Sequence, residues 1–395
     1  MSTREESATL LRQAKEGIEN WLQEARQQGR IDEGSYQVAS ANTYQNLEHW
    51  FTNDHILTFS PNYRKGVAQA IQEQKWEQLV NAYRQYVRFG TGGIRGMMAF
   101  DKASIESLKE QGLEAPILKG PNTINEILLL RTSAGVAEFG KAQSTPFEKV
   151  VIGYDSRIRG YDFARAIAEL FLAFDYTVYF FDEPCPYPEV TYAIPSSHVK
   201  ADIGILISAS HNDYRYNGYK LSCGNGSQFD PEQRDVMYDQ YIAPAKIENV
   251  RLCPFAEAKS GKLISLGGDE RLSEFDYSGF SDHINIHQAH AEHVQQFLQT
   301  ERQQIADAKL NIGYCAFHGV GRKAVPRILT DVGFQAPMGV THNGLNDLNG
   351  LFPSFESAPG KEQQPDPGDA RAAAIAMKAF DHDFPGKFDE LDVLI

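Results

Sequence analysis

Cysteine is scarce: Cys185, Cys223, Cys253 and Cys315 are the four in 395 residues, and no two form a Cys-x-x-Cys pair. That pattern argues against a disulfide framework and against paired-cysteine zinc or redox motifs, so reduced structural thiols in a cytoplasmic setting are expected. No apolar run reaches the roughly 18 residues of a membrane span. The start, Met1-Ser2-Thr3-Arg4-Glu5-Glu6, has no apolar segment after its charges, so no membrane partner and no signal peptide is expected. Positive charge is in deficit, with 38 Lys+Arg against 52 Asp+Glu and a net charge of −14. Nucleic-acid binders draw affinity from clustered cations, so that class is excluded, whereas a small anionic ligand needs only a few local donors. The Walker A loop, the dinucleotide-binding glycine spacing and the Gly-x-Ser-x-Gly elbow are all missing. Low-complexity segments and short-period repeats are missing too.

What is present is an ordinary globular composition, 42% hydrophobic and 23% charged, in a chain long enough for about two to three domains. Residues 1–85 carry apolar positions at helical spacing (Leu11, Ala14, Ile18, Trp21, Leu22; then Val67, Ile71, Leu79, Val80, Tyr83) and predict a helical extension. Residues 101–120 read as a surface insertion, followed by a helix over 125–139. Strands are predicted at 149–154, 177–181 and 203–207, with helices over 164–174 and from Pro186 onward. Strands separated by helices of this length imply a largely parallel sheet covered on both faces. Beyond a helix near 231–241, residues 245–285 read as connector or insertion. A helix at 290–304, a strand at 310–314, helices at 323–332 and 370–380 and a last apolar run at 391–395 then predict a second α/β domain. The expected organisation is therefore α/β: a helical extension (1–85), a complete mixed-sheet domain (86–250), a connector (251–300) and a second, incomplete domain (301–395).

Two loops carry chemistry. Ser208-Ala209-Ser210-His211-Asn212 closes the apolar strand Gly204-Ile205-Leu206-Ile207 and precedes Tyr216-Asn217-Gly218-Tyr219-Lys220. In open α/β sheets ligands bind at the carboxyl ends of strands, which makes Ser210 the candidate reacting group and Lys220 its nearest cation. Adjacent extended residues point to opposite faces, so His211 is poorly placed as a hydrolase base for Ser210. A phosphoryl carrier is the better use of such a serine, since the transfer is catalysed by positioning and by cations of the Lys220 and Arg95 type. The second loop, Phe89-Gly90-Thr91-Gly92-Gly93-Ile94-Arg95-Gly96, can turn tightly and present backbone N–H groups to an anion; a plain glycine-rich turn is its bland alternative.

These two stretches resemble the phosphoserine and N-terminal signatures of the α-D-phosphohexomutases, and Asp155-Ser156-Arg157 is similar to a third signature. Pro186-Tyr187-Pro188 and His318-Gly319-Val320-Gly321 are similar to two weaker ones, and the helical extension is similar to that of the long bacterial glucose/pentose branch. The resemblance implies that Ser210 carries the phosphoryl group, with Lys220 an acid/base group and Arg95 a charge partner. It implies a phosphate-loop role for Thr91, Gly92, Gly93, His211 and Asn212, with Asp155 and Arg157 in support. An internal ion pair is an equal reading of Asp155 and Arg157, local hydrogen bonding is the alternative for His211, and His318 reads as a turn residue. Asp213 stands where the family has proline, which predicts a looser loop.

The implied reaction moves a phosphate between the 1- and 6-positions of a hexose phosphate (glucose 1-phosphate and glucose 6-phosphate) through a bisphosphate intermediate. The substrate partner is then a small sugar phosphate. Mannose or pentose specificity and a non-catalytic binding module stand as alternatives. Glucose 1,6-bisphosphate is the implied activator. Magnesium is the implied cofactor, held by the Ser210 phosphate and an Asp-x-Asp-x-Asp-Arg loop that these 395 residues do not contain. Asp366-Pro367-Gly368-Asp369-Ala370-Arg371 has only two aspartates and precedes a helix, and Asp381 and Asp383 have no arginine behind them. The sequence thus reads as an N-terminal fragment, for which no mutase turnover is expected by itself.

Overall fold

The structure is a computed structural model that describes residues 4–90, 93–355 and 362–395. Its strands are β1 (Ile94–Met97), β2 (Lys149–Tyr154), β3 (Thr177–Phe181), β4 (Ile203–Ile207), β5 (Tyr216–Cys223), β6 (Leu263–Gly267), β7 (Asp282–Asn285), β8 (Ile312–Tyr314), β9 (Met338–Gly339) and β10 (Val393–Leu394). The chain divides into two compact units: Met1–Phe139 with Arg215–Gly218 and Pro231–Arg251, and Gly140–Tyr214 with Tyr219–Asp230 and Leu252–Ile395.

In the first unit the predicted helical extension is present as Arg4–Gln27, Glu33–Thr52, Tyr63–Gln72 and Trp76–Tyr83. The second of these starts at Asp32, whose carboxylate accepts the Ser35 N–H at 2.9 Å and so satisfies one exposed helix-end donor. Ala14, Ile18, Leu22, Leu47, Trp50 and Leu79 are buried, as the helical spacing requires. Residues 101–120 are not a surface insertion. The helix Lys102–Gln111 buries Ile105 and Leu108, and Lys119 is buried to 1% exposure. Its ammonium meets Glu126 at 2.7 Å and Ser60 Oγ at 3.0 Å, while the Tyr83 hydroxyl donates to the Lys119 carbonyl at 2.6 Å. The polar look of this stretch hides an interior ion pair that ties the helical extension to the helix beginning at Glu126. β1 runs beside the start of β5, with the Met98 N–H donating to the Arg215 carbonyl at 2.7 Å.

The second unit is the expected α/β arrangement. Its main sheet runs β5-β4-β2-β3-β6-β7. β2 pairs in parallel with both β3 and β4, β3 with β6 and β6 with β7, while β5 is antiparallel to β4. All five residues of β4 and five of six in β2 are buried, which is why both read as unbroken apolar runs. The helices Gly160–Ala173 and Tyr187–Ala193 fill the predicted positions. Residues 245–285, expected to be connector, instead supply β6, β7 and aromatic side chains. Phe255 lies 5.3 Å from both Phe180 and Phe280 between ring centroids, and Phe275 5.5 Å from Phe280. The single helix expected at 290–304 is two, Ile286–Phe297 and Arg302–Ala308. The later strands form a small parallel sheet, β10-β8-β9, packed on the helix Ala370–Asp383 through Val340, Ala376, Ala379 and Phe380.

Candidate functional site

The parallel pairing of β2 with β4 sets Tyr154 opposite Ile207, so the residues just past both strands emerge together. The Asp155 N–H donates to the Ile207 carbonyl at 3.1 Å and extends that pairing by one residue. The chain then turns sharply. Ser210 has φ +53°, a left-handed conformation that a side-chain-bearing residue occupies only when its surroundings hold it there. Its N–H donates to Ser208 Oγ at 3.0 Å. Behind the turn lies Arg157, 3% exposed, which donates to the carbonyls of Ser210 (2.7 Å), Asp213 (2.9 Å) and Asn212. Three loop carbonyls thus converge on one buried guanidinium, backed by the Phe352 ring at 5.0 Å.

Lys220 reaches this turn because β5 returns antiparallel to β4, with Lys220 opposite Leu206. Its ammonium donates to Ser210 Oγ at 2.7 Å. Tyr187 lies beside Lys220, its ring centroid 4.9 Å from the ammonium and its hydroxyl 3.0 Å from Ser222 Oγ. Asp155 sits 3.6 Å from the Arg157 Nε and accepts the Arg157 N–H at 3.0 Å. Burial pushes the Asp155 carboxyl above the ordinary range; Arg157, the Ser208 hydroxyl and Lys220 counteract that only in part. His211 is exposed and pairs with Asp366 at 3.0 Å. The Asn212 N–H donates to the Ala209 carbonyl at 3.2 Å, and the Asn212 side-chain oxygen is buried with no hydrogen-bond partner among the described residues.

Of the residues expected to form the site, Ser210, Lys220, His211, Asn212, Asp155 and Arg157 are brought together within the second unit. Gly93 and Arg95 belong to the first unit. Gly93, with φ +116°, pairs with Gly90 through hydrogen bonds of 2.8 and 3.3 Å, and Arg95 is exposed on β1. Thr91 and Gly92 lie outside the described residues. The loop is not loosened at Asp213. That residue is 3% exposed, its carboxylate accepts the Gln363 N–H at 2.7 Å, and its carbonyl is held by Arg157. His318 is a buried turn residue, its Nε2 2.9 Å from Ser354 Oγ.

Sequence reasoning passes over Ser208, which links the Ser210 N–H to Asp155, and the packing of Tyr187 against Lys220. Both residues sit inside recognisable motifs, but neither contact has a sequence spacing that announces it. The implied magnesium does not fit here. Asp155 is engaged by Arg157, Asp213 by Gln363 and Asp366 by His211. Among the described residues no three His, Cys, Asp or Glu ligand atoms converge around Ser210. Nor is any helix among them long and apolar enough to cross a membrane.

Residues 106–248 match the family described as phosphoglucomutase/phosphomannomutase, alpha/beta/alpha domain I. That segment contains Ser210, Lys220, Asp155, Arg157, His211 and Asn212. A provisionally assigned phosphoribomutase of Schizosaccharomyces pombe is 28% identical over 295 residues, 74% of this chain and 43% of its own length. The phosphoglucomutase of Staphylococcus haemolyticus is 25% identical over 277 residues, 70% of this chain and 42% of its own. The chain therefore spans less than half the length of these curated relatives. A crystal structure from Thermus thermophilus, provisionally assigned as a phosphomannomutase, shares the fold with a TM-score of 0.52 at 18% identity, over 76% of this chain and 53% of that one. The domain I match spans the serine turn and the relatives share the mutase description, so the segment 106–248 belongs to the α-D-phosphohexomutase superfamily.

Proposed function

We propose that the protein is a phosphosugar mutase, an isomerase, in which Ser210 carries the phosphoryl group. The observation that carries the reading is the Lys220 ammonium 2.7 Å from the Oγ of a serine held in a left-handed turn at the end of β4. In the forward half-reaction the Oγ–P bond breaks as a sugar hydroxyl oxygen bonds to phosphorus. The resulting bisphosphate, reoriented, returns its other phosphate to Oγ. Lys220 is placed to give Oγ a proton as the phosphoryl group leaves and to take it back when the serine is rephosphorylated, while the proton lost by the attacking sugar hydroxyl, and later regained by the departing sugar oxygen, is exchanged with solvent. It also offsets the nearly two negative charges of the phosphoseryl group. Arg157 keeps the turn fixed during both steps, so the phosphorus stays aligned with its acceptor. Arg95 is proposed as a charge partner of the transferred phosphoryl group, Thr91-Gly92-Gly93 as a phosphate loop, and His211 and Asn212 as lining the serine turn.

The substrate is proposed to be a hexose phosphate, exchanged between positions 1 and 6, with glucose 1,6-bisphosphate as activator. Magnesium enters no step here, since the carboxylates around Ser210 are already engaged. A 1-to-5 exchange on a pentose is the second reading, favoured by the relative assigned as a phosphoribomutase. The test expresses the protein from its complete reading frame and assays glucose 1-phosphate and ribose 1-phosphate side by side with the bisphosphate present. Turnover lost in Ser210→Ala supports the mutase reading, and the faster sugar decides between the two substrates. Turnover that survives Ser210→Ala, or no turnover of either sugar, overturns it.

A further inference from the structure

A second cluster stands apart from the serine turn, where the Ala370–Asp383 helix ends beside the turn that follows β9. Asp383 is the last residue of that helix, His382 precedes it, and His342 opens the short turn His342–Gly344. One ligand atom from each of the three lies within 4.8 Å of the other two, the one such convergence among the described residues. The imidazoles of His342 and His382 are stacked, with ring centroids 3.6 Å apart and planes inclined by 30°.

The carboxylate is already oriented. Asp383 Oδ2 accepts the N–H groups of Thr341 (2.7 Å) and His342 (2.9 Å) and the Thr341 hydroxyl (3.1 Å). That leaves Oδ1 on the side of the histidines, 3.2 Å from His382 Nδ1. A carboxylate fixed by outer hydrogen bonds through one oxygen, with the other beside an imidazole, is how proteins preorganise a metal ligand. His382 is exposed, so its ring can move onto a cation without disturbing a packed core. A cavity of about 340 Å³ lined by His342, Ser354, Ile375 and Lys378 opens alongside, and solvent ions can enter there.

We infer that His342, His382 and Asp383 form a binding site for a borderline transition-metal dication, zinc above all. Two imidazole nitrogens and one carboxylate oxygen are the donors such a cation takes, with a fourth tetrahedral position left for water. Magnesium, which selects an all-oxygen octahedron, is not bound there. The bound cation clasps the end of the helix to the turn after β9, so it stabilises the smaller sheet and its helix.

The test uses the intact chain, stripped with chelator and titrated with zinc against a chromophoric competitor, with cobalt as a spectroscopic stand-in. One zinc per chain is expected, with a visible cobalt band of low-coordinate type, a raised melting temperature and no competition from excess magnesium. His382→Ala, which alters an exposed side chain, is expected to fold normally and to weaken binding at least tenfold, as is His342→Ala. Cys223→Ser is expected to bind as the parent does. No stoichiometric zinc, or zinc retained by both histidine variants while Cys223→Ser loses it, overturns the assignment.

Discussion

At Ser210 the backbone and the side chain answer to different partners. Arg157 and Ser208 fix the backbone, and Lys220 meets the hydroxyl. Removing the lysine therefore separates chemistry from folding. In the protein expressed from its complete reading frame, Lys220→Met is expected to leave the melting temperature nearly unchanged and to lower turnover by about a hundred- to ten-thousand-fold, the usual cost of losing a positioned proton-transfer group. Steady-state kinetics beside a thermal melt checks this, and near-parental turnover would make Lys220 an ordinary lysine of β5. Residue types at this site are legible in the sequence, because a serine, an amide and a lysine cluster around one apolar strand. Their supports are less so. Arg157 acts on carbonyls 53 to 56 positions away, and no local pattern encodes such a reach. Asp213 reads in the sequence as a missing proline, yet it holds the loop by a different route, through Gln363.

At the scale of elements, unbroken apolar runs are readable wherever a strand is buried on both faces, as in β2 and β4. Amphipathic helices are readable from their spacing. Residues 245–285 are not, since β6 and β7 are short and the aromatics that seat them on the sheet recur with no helical or strand period. Residues 101–120 mislead for the opposite reason: their charge suggests exposure. There Lys119 and Glu126 are 1% and 2% exposed and face each other. Breaking such a pair leaves one charge buried without its partner, which typically costs about 3–5 kcal/mol. Lys119→Met is thus expected to destabilise the first unit by that order in urea unfolding. Lys119→Met with Glu126→Leu is expected to recover most of the loss. A double variant as unstable as the single one would mean that lost packing, not the orphaned carboxylate, is responsible.

On the scale of the whole molecule, stability should carry one readable pH signature, from a cluster in the second unit. His287 lies between Glu189 (2.6 Å) and Glu183 (3.2 Å), and Lys323 also pairs with Glu183. Burial opposes the imidazolium, but hydrogen bonds to the two carboxylates outweigh it and push the His287 pKa up to about 9. The folded value lies above the unfolded one of about 6.5, so the folded chain holds a proton that the unfolded chain releases between the two. The contribution is complete below about pH 6.5 and is lost as pH rises through about 9, at most about 3 kcal/mol in all. Urea midpoints measured across that window are expected to fall for the parent and to stay flatter for His287→Gln. Equal slopes would show that His287 titrates near its unfolded value.

Whether Ser210 is the phosphoryl carrier is decided by mapping the phosphate. The protein expressed from its complete reading frame is incubated with glucose 1,6-bisphosphate, with and without magnesium, then digested, and its phosphopeptides are identified by mass spectrometry. Phosphate is expected on Ser210, removed by Ser210→Ala and formed much more slowly in Lys220→Met. Phosphate on Ser208 or Ser156 with Ser210 bare, or no phosphoserine at all, would contradict it.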